Sequence, residues 1–127
     1  MILLDSSVVI DYSRGKDAKL VSLFGRLSLA VCGIARAEVL AGARSTKDRS
    51  KLIGLLDGLA QVPIPDALWD TVGDNLLTLR AGGAVPFPGV ALVTVAISND
   101  HELWTRDAHF PRIQQILPTL KLFQEPP

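Results

Sequence analysis

Two aspartates stand where apolar segments end, and their positions raise the question of a shared site. Asp5 lies in MILLDSSVVID, where an apolar run meets a carboxylate and two serines follow. Asp107 lies just beyond the strand-like segment HELWT. Aspartate is a poor strand former, so each residue either caps the helix that follows or belongs to a site. In parallel sheets the carboxyl ends of the strands meet at one edge, where ligands bind.

A third carboxylate, Glu38, lies in the alanine-rich segment IARAEVLAGA and is the only acidic residue between Asp17 and Asp48. On the apolar face of a helix it would cost several kcal/mol unless it were paired or bound a metal. Arg36 is an unsuitable partner, because residues two apart point to different sides of a helix. The alternative is that Glu38 lies on a solvated edge.

Together these carboxylates would form a hard oxygen ligand set, which suits Mg²⁺ or Mn²⁺. Mutual repulsion would keep them from sharing a site without a cation. Capping of the following helices remains the simpler explanation for each aspartate taken alone.

The elements that must position these residues follow from the apolar patterns, and their alternation predicts a three-layer α/β sandwich with a mostly parallel central sheet flanked by helices. A hydroxyl of Ser6 or Ser7 would cap the first helix, and Asp66 would cap a later one. The segment 90–98 fits a helix or a strand by periodicity alone. Strands are expected at 2–4, 27–33, 101–105 and 121–124, an extended segment at 61–65, and helices at 8–14, 16–27, 34–44, 50–60, 66–80 and 108–117.

Size and composition predict one domain over residues 1–127, since the chain has 127 residues and a globular composition with 48% hydrophobic residues. Its formal net charge is zero, which leaves nucleic-acid binding open. The single cysteine, Cys32, is expected to be a buried small hydrophobe in a cytoplasmic protein. The uncharged stretch 81–99 contains a Gly-Gly pair and two prolines, so we predict a loop leading into a buried helix and no membrane span.

Three segments, LLDSSVVIDYSRG, ARAEVLAGAR and ELWTRDAHFPRI, occur in this order, and through them the chain resembles the PIN domain. The likeness is to the VapC toxins of bacterial VapBC toxin–antitoxin pairs in particular. It implies an endoribonuclease that depends on Mg²⁺ or Mn²⁺, is usually a homodimer, and is held inactive by a cognate VapB antitoxin. Carried over residue by residue, Asp5, Glu38 and Asp107 match the family's acidic catalytic and metal-binding positions.

Two polar residues and one glycine complete this comparison. Ser7 matches a hydroxyl that supports the first aspartate, and Thr105 matches a polar residue lining the same site. The family normally has a further aspartate at the start of the helix after the loop, and here Gly89 takes its place in PFPGVALVTVAI. Asp100 and Glu102 are a full helix away, so three acidic ligands are expected where relatives have four.

The remaining polar and aromatic residues are less informative. Arg14 and Arg106 could contact RNA phosphate, as could Arg44 and Arg112, although solvated surface roles explain each equally well. We expect Asp11, Asp17, His101 and His109 at the surface, and Trp104 and Phe110 in the core. Apolar residues between positions 18 and 59 could either receive an antitoxin helix or belong to the core; they are Leu20, Leu23, Phe24, Leu52 and Leu55.

Two other functions stay open. A catalytically inactive PIN domain that binds an antitoxin or RNA would also account for Gly89. A phosphotransferase-type α/β domain would likewise have an aspartate after its first strand. That class would require a second aspartate where Ser7 stands, or a lysine where Thr105 stands.

Overall fold

Five short strands form one parallel sheet in the computed structural model, which describes residues 1–83 and 85–127. The spatial order is β3-β2-β1-β4-β5. Leu3 is in register with Ala30 on one side and with Leu103 on the other, so the first strand is central. The strands are β1 (Ile2–Leu4), β2 (Leu29–Cys32), β3 (Ala60–Val62), β4 (Glu102–Trp104) and β5 (Lys121–Leu122).

Helices connect the strands and cover both faces of the sheet. Side chains alternate along a strand, so Leu3 packs with the helices of one face while Ile2 and Leu4 pack with those of the other. The first four helices form one outer layer and the last three form the other, which confirms the predicted three-layer sandwich. The helices are α1 (Ser6–Ser13), α2 (Ala18–Phe24), α3 (Gly33–Ala41), α4 (Thr46–Asp57), α5 (Leu68–Arg80), α6 (Phe87–Ser98) and α7 (Phe110–Ile116).

The ambiguous apolar segment is a helix, α6, whose residues from Val90 to Ala96 are buried. It begins at Phe87, after Pro86, whose fixed φ suits a helix start. The loop predicted before it includes Ala84, which lies outside the described residues. Among the described residues, no helix has both the length and the apolar character needed to cross a membrane.

Several helices begin at residues other than those predicted, and the residues at their N-cap positions also differ from the expected ones. α1 begins at Ser6, so neither serine precedes it as a cap. α4 begins at Thr46, four residues before the predicted start, and Ser45 caps it by accepting from the backbone N–H of Asp48. α5 begins at Leu68 after Ala67, and Asp66 does not cap it.

The apolar residues considered as an antitoxin surface belong to the core instead. Leu20, Leu23 and Leu52 are buried, and Phe24 and Leu55 are half-buried against the same cluster. Phe24 also stacks on Tyr12 with ring centroids 3.8 Å apart. Trp104, Phe110 and Cys32 are buried as expected.

Shortening the buried side chain of Leu103 in the strand β4 should destabilise the fold. The loop that carries Thr105 and Asp107 follows this strand directly. The side chain of Leu103 is fully buried in the sheet, so Leu103→Ala should lower the free energy of unfolding by about 2–5 kcal/mol. Urea denaturation followed by circular dichroism measures this change. Leu77→Ala on α5, where the side chain is 65% exposed, is the matched control and should stay within about 0.5 kcal/mol of the parent chain. Equal losses in both variants would contradict the packing described.

Candidate active site

The carboxylate of Asp5 is buried at the end of β1, and it does not cap α1. Only 6% of the residue is exposed, and although Asp5 occupies the N-cap position its side chain makes no capping hydrogen bond. The hydroxyls of Ser7 and Thr105 both donate to Oδ2, at 2.7 and 2.8 Å. Hydrogen bonds to the ionised form offset the cost of burying this charge.

The loop after β4 is tied to Asp5 through the same hydroxyls. The backbone N–H of Arg106 donates to Ser7 Oγ at 3.1 Å, and that of Asp107 donates to Thr105 Oγ1 at 3.0 Å. The backbone N–H of Asp5 donates to the carbonyl of Trp104 at 2.9 Å. These bonds hold the carboxyl ends of β1 and β4 together, as the parallel sheet requires.

Asp107 makes a local contact with His109 that the sequence analysis did not foresee. Its Oδ1 accepts from the backbone N–H of His109 at 2.9 Å and lies 2.6 Å from the ring Nδ1. These interactions, led by the backbone bond, lower the pKa of Asp107. His109 is exposed at the surface, as expected, yet it also lines the site. The Asp-x-His spacing after a strand was the available signal.

Glu38 does not lie on an apolar face of its helix, as the sequence analysis expected. The residue lies on an exposed face of α3, so burial on an apolar face does not explain it. Partial desolvation and, next in size, the negative charge of Asp5 raise the pKa of Glu38, while a hydrogen bond with the Ser6 side chain opposes the rise. Two carboxylates therefore repel one another at this edge of the sheet, and Ser6 is a site residue that sequence reasoning missed.

One cavity of about 270 Å³ brings the predicted acidic residues together. Asp5, Glu38 and Asp107 all line it. Its other lining residues are Ser6, Ser7, Val85, Pro86, Pro88, Gly89, His109, Phe110 and Ile113. In the part of the chain that the structure describes, no three acidic, histidine or cysteine side chains already converge closely enough to hold a metal ion. The donor chemistry fits a divalent cation, but the described carboxylates would have to come closer together to bind one.

Gly89 lies at the rim of this cavity near the start of α6, with room for a side chain. A Cβ built there would lie 3.6 and 4.0 Å from ring carbons of Phe110, an ordinary van der Waals contact. Asp100 is at the opposite end of α6, where it pairs with Lys121 at 2.6 Å. It therefore provides no substitute carboxylate at the cavity.

Arg106 forms ion pairs within the chain. Its guanidinium donates to Asp11 at 3.0 Å, to Asp17 at 2.8 Å and to Glu125 at 2.9 Å. Asp17 also caps α2. Asp11 and Asp17 lie at the surface as expected, but their ion pairs with Arg106 were not predicted. These pairs favour an intramolecular role for Arg106 over the RNA contact considered from sequence. Arg14 is exposed beside the same cluster and is not among the residues lining the acidic cavity.

The strand order and the helices on both faces of the sheet are those of a PIN-like α/β domain. No family model matches the chain. Ribonuclease VapC32 of Mycobacterium tuberculosis is 37% identical over 109 residues, which cover 84% of this chain and 85% of that protein. The chain belongs to the VapC ribonuclease family.

Solved structures share the fold at low sequence identity. The chain resembles VapBC2 from Rickettsia felis, solved with a promoter DNA fragment, with a TM-score of 0.80 and 21% identity over 97% of this chain and 98% of that one. It also resembles the sarcin-ricin loop cleaving toxin VapC20 of Mycobacterium tuberculosis, with a TM-score of 0.75 and 10% identity over 88% and 94% of the two chains.

Removal of the charge on Asp5 should lower the pKa of Glu38. Asp5→Asn retains a hydrogen-bonding oxygen but removes the repulsion, so the pKa of Glu38 should fall towards its usual value while partial desolvation keeps it somewhat raised. Carbon-detected NMR titration of the Glu38 carboxyl measures this. Asp70→Asn on α5 is the control and should have no effect. An unchanged Glu38 pKa in Asp5→Asn would contradict the proximity of the two carboxylates.

The side-chain carboxylate of Glu125 should make the stability of the fold depend on pH. Hydrogen bonds from Arg106, first in size, and from Trp104 lower the pKa of Glu125 to about 2. A depressed folded-state pKa stabilises the fold above the unfolded-state pKa, and this stabilisation is lost as the pH falls through the folded-state value. Glu125→Gln should therefore lower the free energy of unfolding by about 1–3 kcal/mol at pH 7. The difference from the parent chain should shrink between about pH 5 and pH 2 in urea denaturation; a constant difference would contradict the assignment.

Proposed function

We propose that the chain is a metal-dependent endoribonuclease toxin that cleaves RNA phosphodiester bonds and is neutralised by a cognate VapB-like antitoxin. The observation that carries the proposal is the placement of the Asp5, Glu38 and Asp107 carboxylates around one cavity at the carboxyl edge of the sheet. Membership of a family whose relative is named a ribonuclease supports the same reaction.

In this proposal Asp5, Glu38 and Asp107 would hold Mg²⁺ or Mn²⁺. Such a cation would polarise a phosphoryl oxygen and lower the pKa of a bound water, which would make that water a better nucleophile. Ser7 and Thr105 would keep Asp5 oriented, because both hydroxyls donate to the same carboxylate oxygen. The repulsion between Glu38 and Asp5 favours occupancy, since a cation between them would replace it with attraction.

Gly89 supports a second candidate, a PIN domain that binds its antitoxin or RNA without cutting. The position lacks the carboxylate expected in relatives, and the described acidic side chains are not already gathered around an ion position. A three-ligand site could bind one ion and still lack the second ion that two-metal cleavage uses.

The proposed partners follow from the relatives. Solved neighbours include VapBC complexes with DNA, so we propose a VapB-like antitoxin as the partner. A homodimer is the assembly that the family resemblance implies. The RNA substrate implies action in the cytoplasm, and Cys32 is a buried free thiol, which is compatible with a reducing compartment.

Metal binding should separate the two candidates. Mn²⁺ calorimetry on the purified chain should give saturable binding that Glu38→Gln weakens at least about tenfold, since one charged ligand is lost. Gly89→Asp should strengthen binding and raise the cleavage rate of an RNA stem-loop in Mn²⁺, because it adds a carboxylate where space exists. Gly73→Asp is the matched control, since Gly73 also lies in a helix with open space around a Cβ, and it should change neither quantity.

The combination of Mn²⁺ binding and RNA cleavage distinguishes the active nuclease from the inactive PIN domain. Binding without cleavage in the parent chain, with cleavage restored in Gly89→Asp, would favour the inactive PIN domain for the sequence as it stands. Absence of Mn²⁺ binding in the parent chain, Glu38→Gln and Gly89→Asp would overturn the metal-dependent reaction and leave the carboxylates as structural groups.

A further inference from the structure

Arg106 belongs to two hydrogen-bond networks at once, one through its backbone and one through its side chain. Its backbone N–H donates to Ser7 Oγ, and the Ser7 hydroxyl donates to Asp5 Oδ2. Its guanidinium points to a separate cluster of carboxylates away from the cavity lining. The residue therefore links the acidic cavity to a second charged cluster that no step of the proposed reaction uses.

The carboxylates that hold the guanidinium come from three different parts of the chain. Asp11 lies on α1, Asp17 caps α2, and Glu125 lies in the C-terminal segment after β5. Only 25% of the Arg106 side chain is exposed. A planar guanidinium with several fixed donors can bridge such separate acceptors, which a lysine ammonium does poorly.

Glu125 is itself fixed from several sides. Its Oε2 accepts from the indole N–H of Trp104 at 2.9 Å, and Oε1 lies 3.2 Å from Lys19 Nζ. Glu125 also accepts from Nε and Nη2 of Arg106, both at 2.9 Å, as a two-pronged pair. Such pairs restrict geometry more than a single contact does. Because Trp104 is the last residue of β4 and Thr105–Asp107 follow it directly, Glu125 braces the strand end on which the loop begins.

We propose that Arg106 is a positioning residue, which together with Glu125 fixes the Thr105–Asp107 loop so that Asp107 stays opposite Asp5 and Glu38. The role of the loop in catalysis rests on the proposed function, whereas the bracing itself concerns only the chain's internal contacts. Arg106 does not contact RNA in this assignment, and the C-terminal segment contributes to the site although it lies outside the cavity.

Amide hydrogen exchange tests the bracing without any activity. In Glu125→Gln and in Arg106→Gln, the amides of Arg106 and Asp107 should exchange at least about tenfold faster, which corresponds to the loss of one charge-assisted hydrogen bond. The amide of Leu3, in the central strand, reports global stability and should accelerate only as far as the lower unfolding free energy of each variant requires. The loop amides should instead exchange by a local opening whose rate does not change at low concentrations of urea. Lys121→Gln breaks an exposed pair with Asp100 at the opposite end of α6 and is the matched control, in which the loop amides should keep their rates.

Mn²⁺ affinity and RNA kinetics then separate positioning from RNA contact. Positioning predicts weaker Mn²⁺ binding and a lower kcat with little change in KM, and Glu125→Gln should reproduce the effect of Arg106→Gln. An RNA contact predicts that Arg106→Gln alone raises KM and reduces the slope of log RNA affinity against log salt concentration by about one. The loop amides would keep their exchange rates. That result would overturn the proposal. Loop amides that exchange only together with Leu3 in both variants, with the same rate and the same urea dependence, would also overturn it, because the pair would then serve only global stability. Faster loop exchange without Mn²⁺ binding in the parent chain would uphold the bracing and count against the proposed function alone.

Discussion

The burial of one carboxylate, that of Asp5, is the constraint on which the rest of the site depends. A charge this little exposed needs compensating donors, and both side-chain donors to it are hydroxyls, one from α1 and one from the end of β4. The bond from Thr105 is available only because β1 and β4 are neighbours with Leu4 opposite Trp104. The parallel order of the sheet and the solvation of Asp5 therefore depend on each other.

The hydroxyl hydrogen bonds of this arrangement go to one oxygen of Asp5, and no other side chain among the described residues donates to the second oxygen. Both hydroxyls bind Oδ2, and the charge of the carboxylate is felt at Glu38, whose pKa it helps to raise. A site built for stability alone would pair Glu38 with a cation from the chain. Arg36, two residues away, instead binds Asp57 on α4 at 2.7 Å, so the repulsion is retained. This repulsion supports the proposal that a divalent cation binds at the cavity.

How much of this the sequence could predict depends on the range of each interaction. Asp5 and Asp107 were identified because strand ends are visible as local apolar runs and parallel strands bring their ends together. Glu38 was selected for a wrong reason, since alanine-rich neighbours do not reveal which face of α3 is covered. The contacts of Arg106 were beyond prediction, because they join residues 89 and 95 positions apart in the chain. Those of His109 were within reach, because they span two residues.

Gly89 shows why stability and chemistry can change independently at this site. The helix α6 is anchored by its buried residues from Val90 onward and starts at Pro86 and Phe87 without help from a side chain at position 89. A Cβ there would touch only the ring of Phe110, at ordinary distance, so the fold neither requires nor forbids a carboxylate. The fold thus does not depend on the residue type at position 89, whereas the side chain of Asp5 accepts the hydroxyl bonds that connect the end of β1 with α1 and with the loop after β4. A carboxylate could therefore be added at position 89 while the hydrogen bonds around Asp5 stay intact.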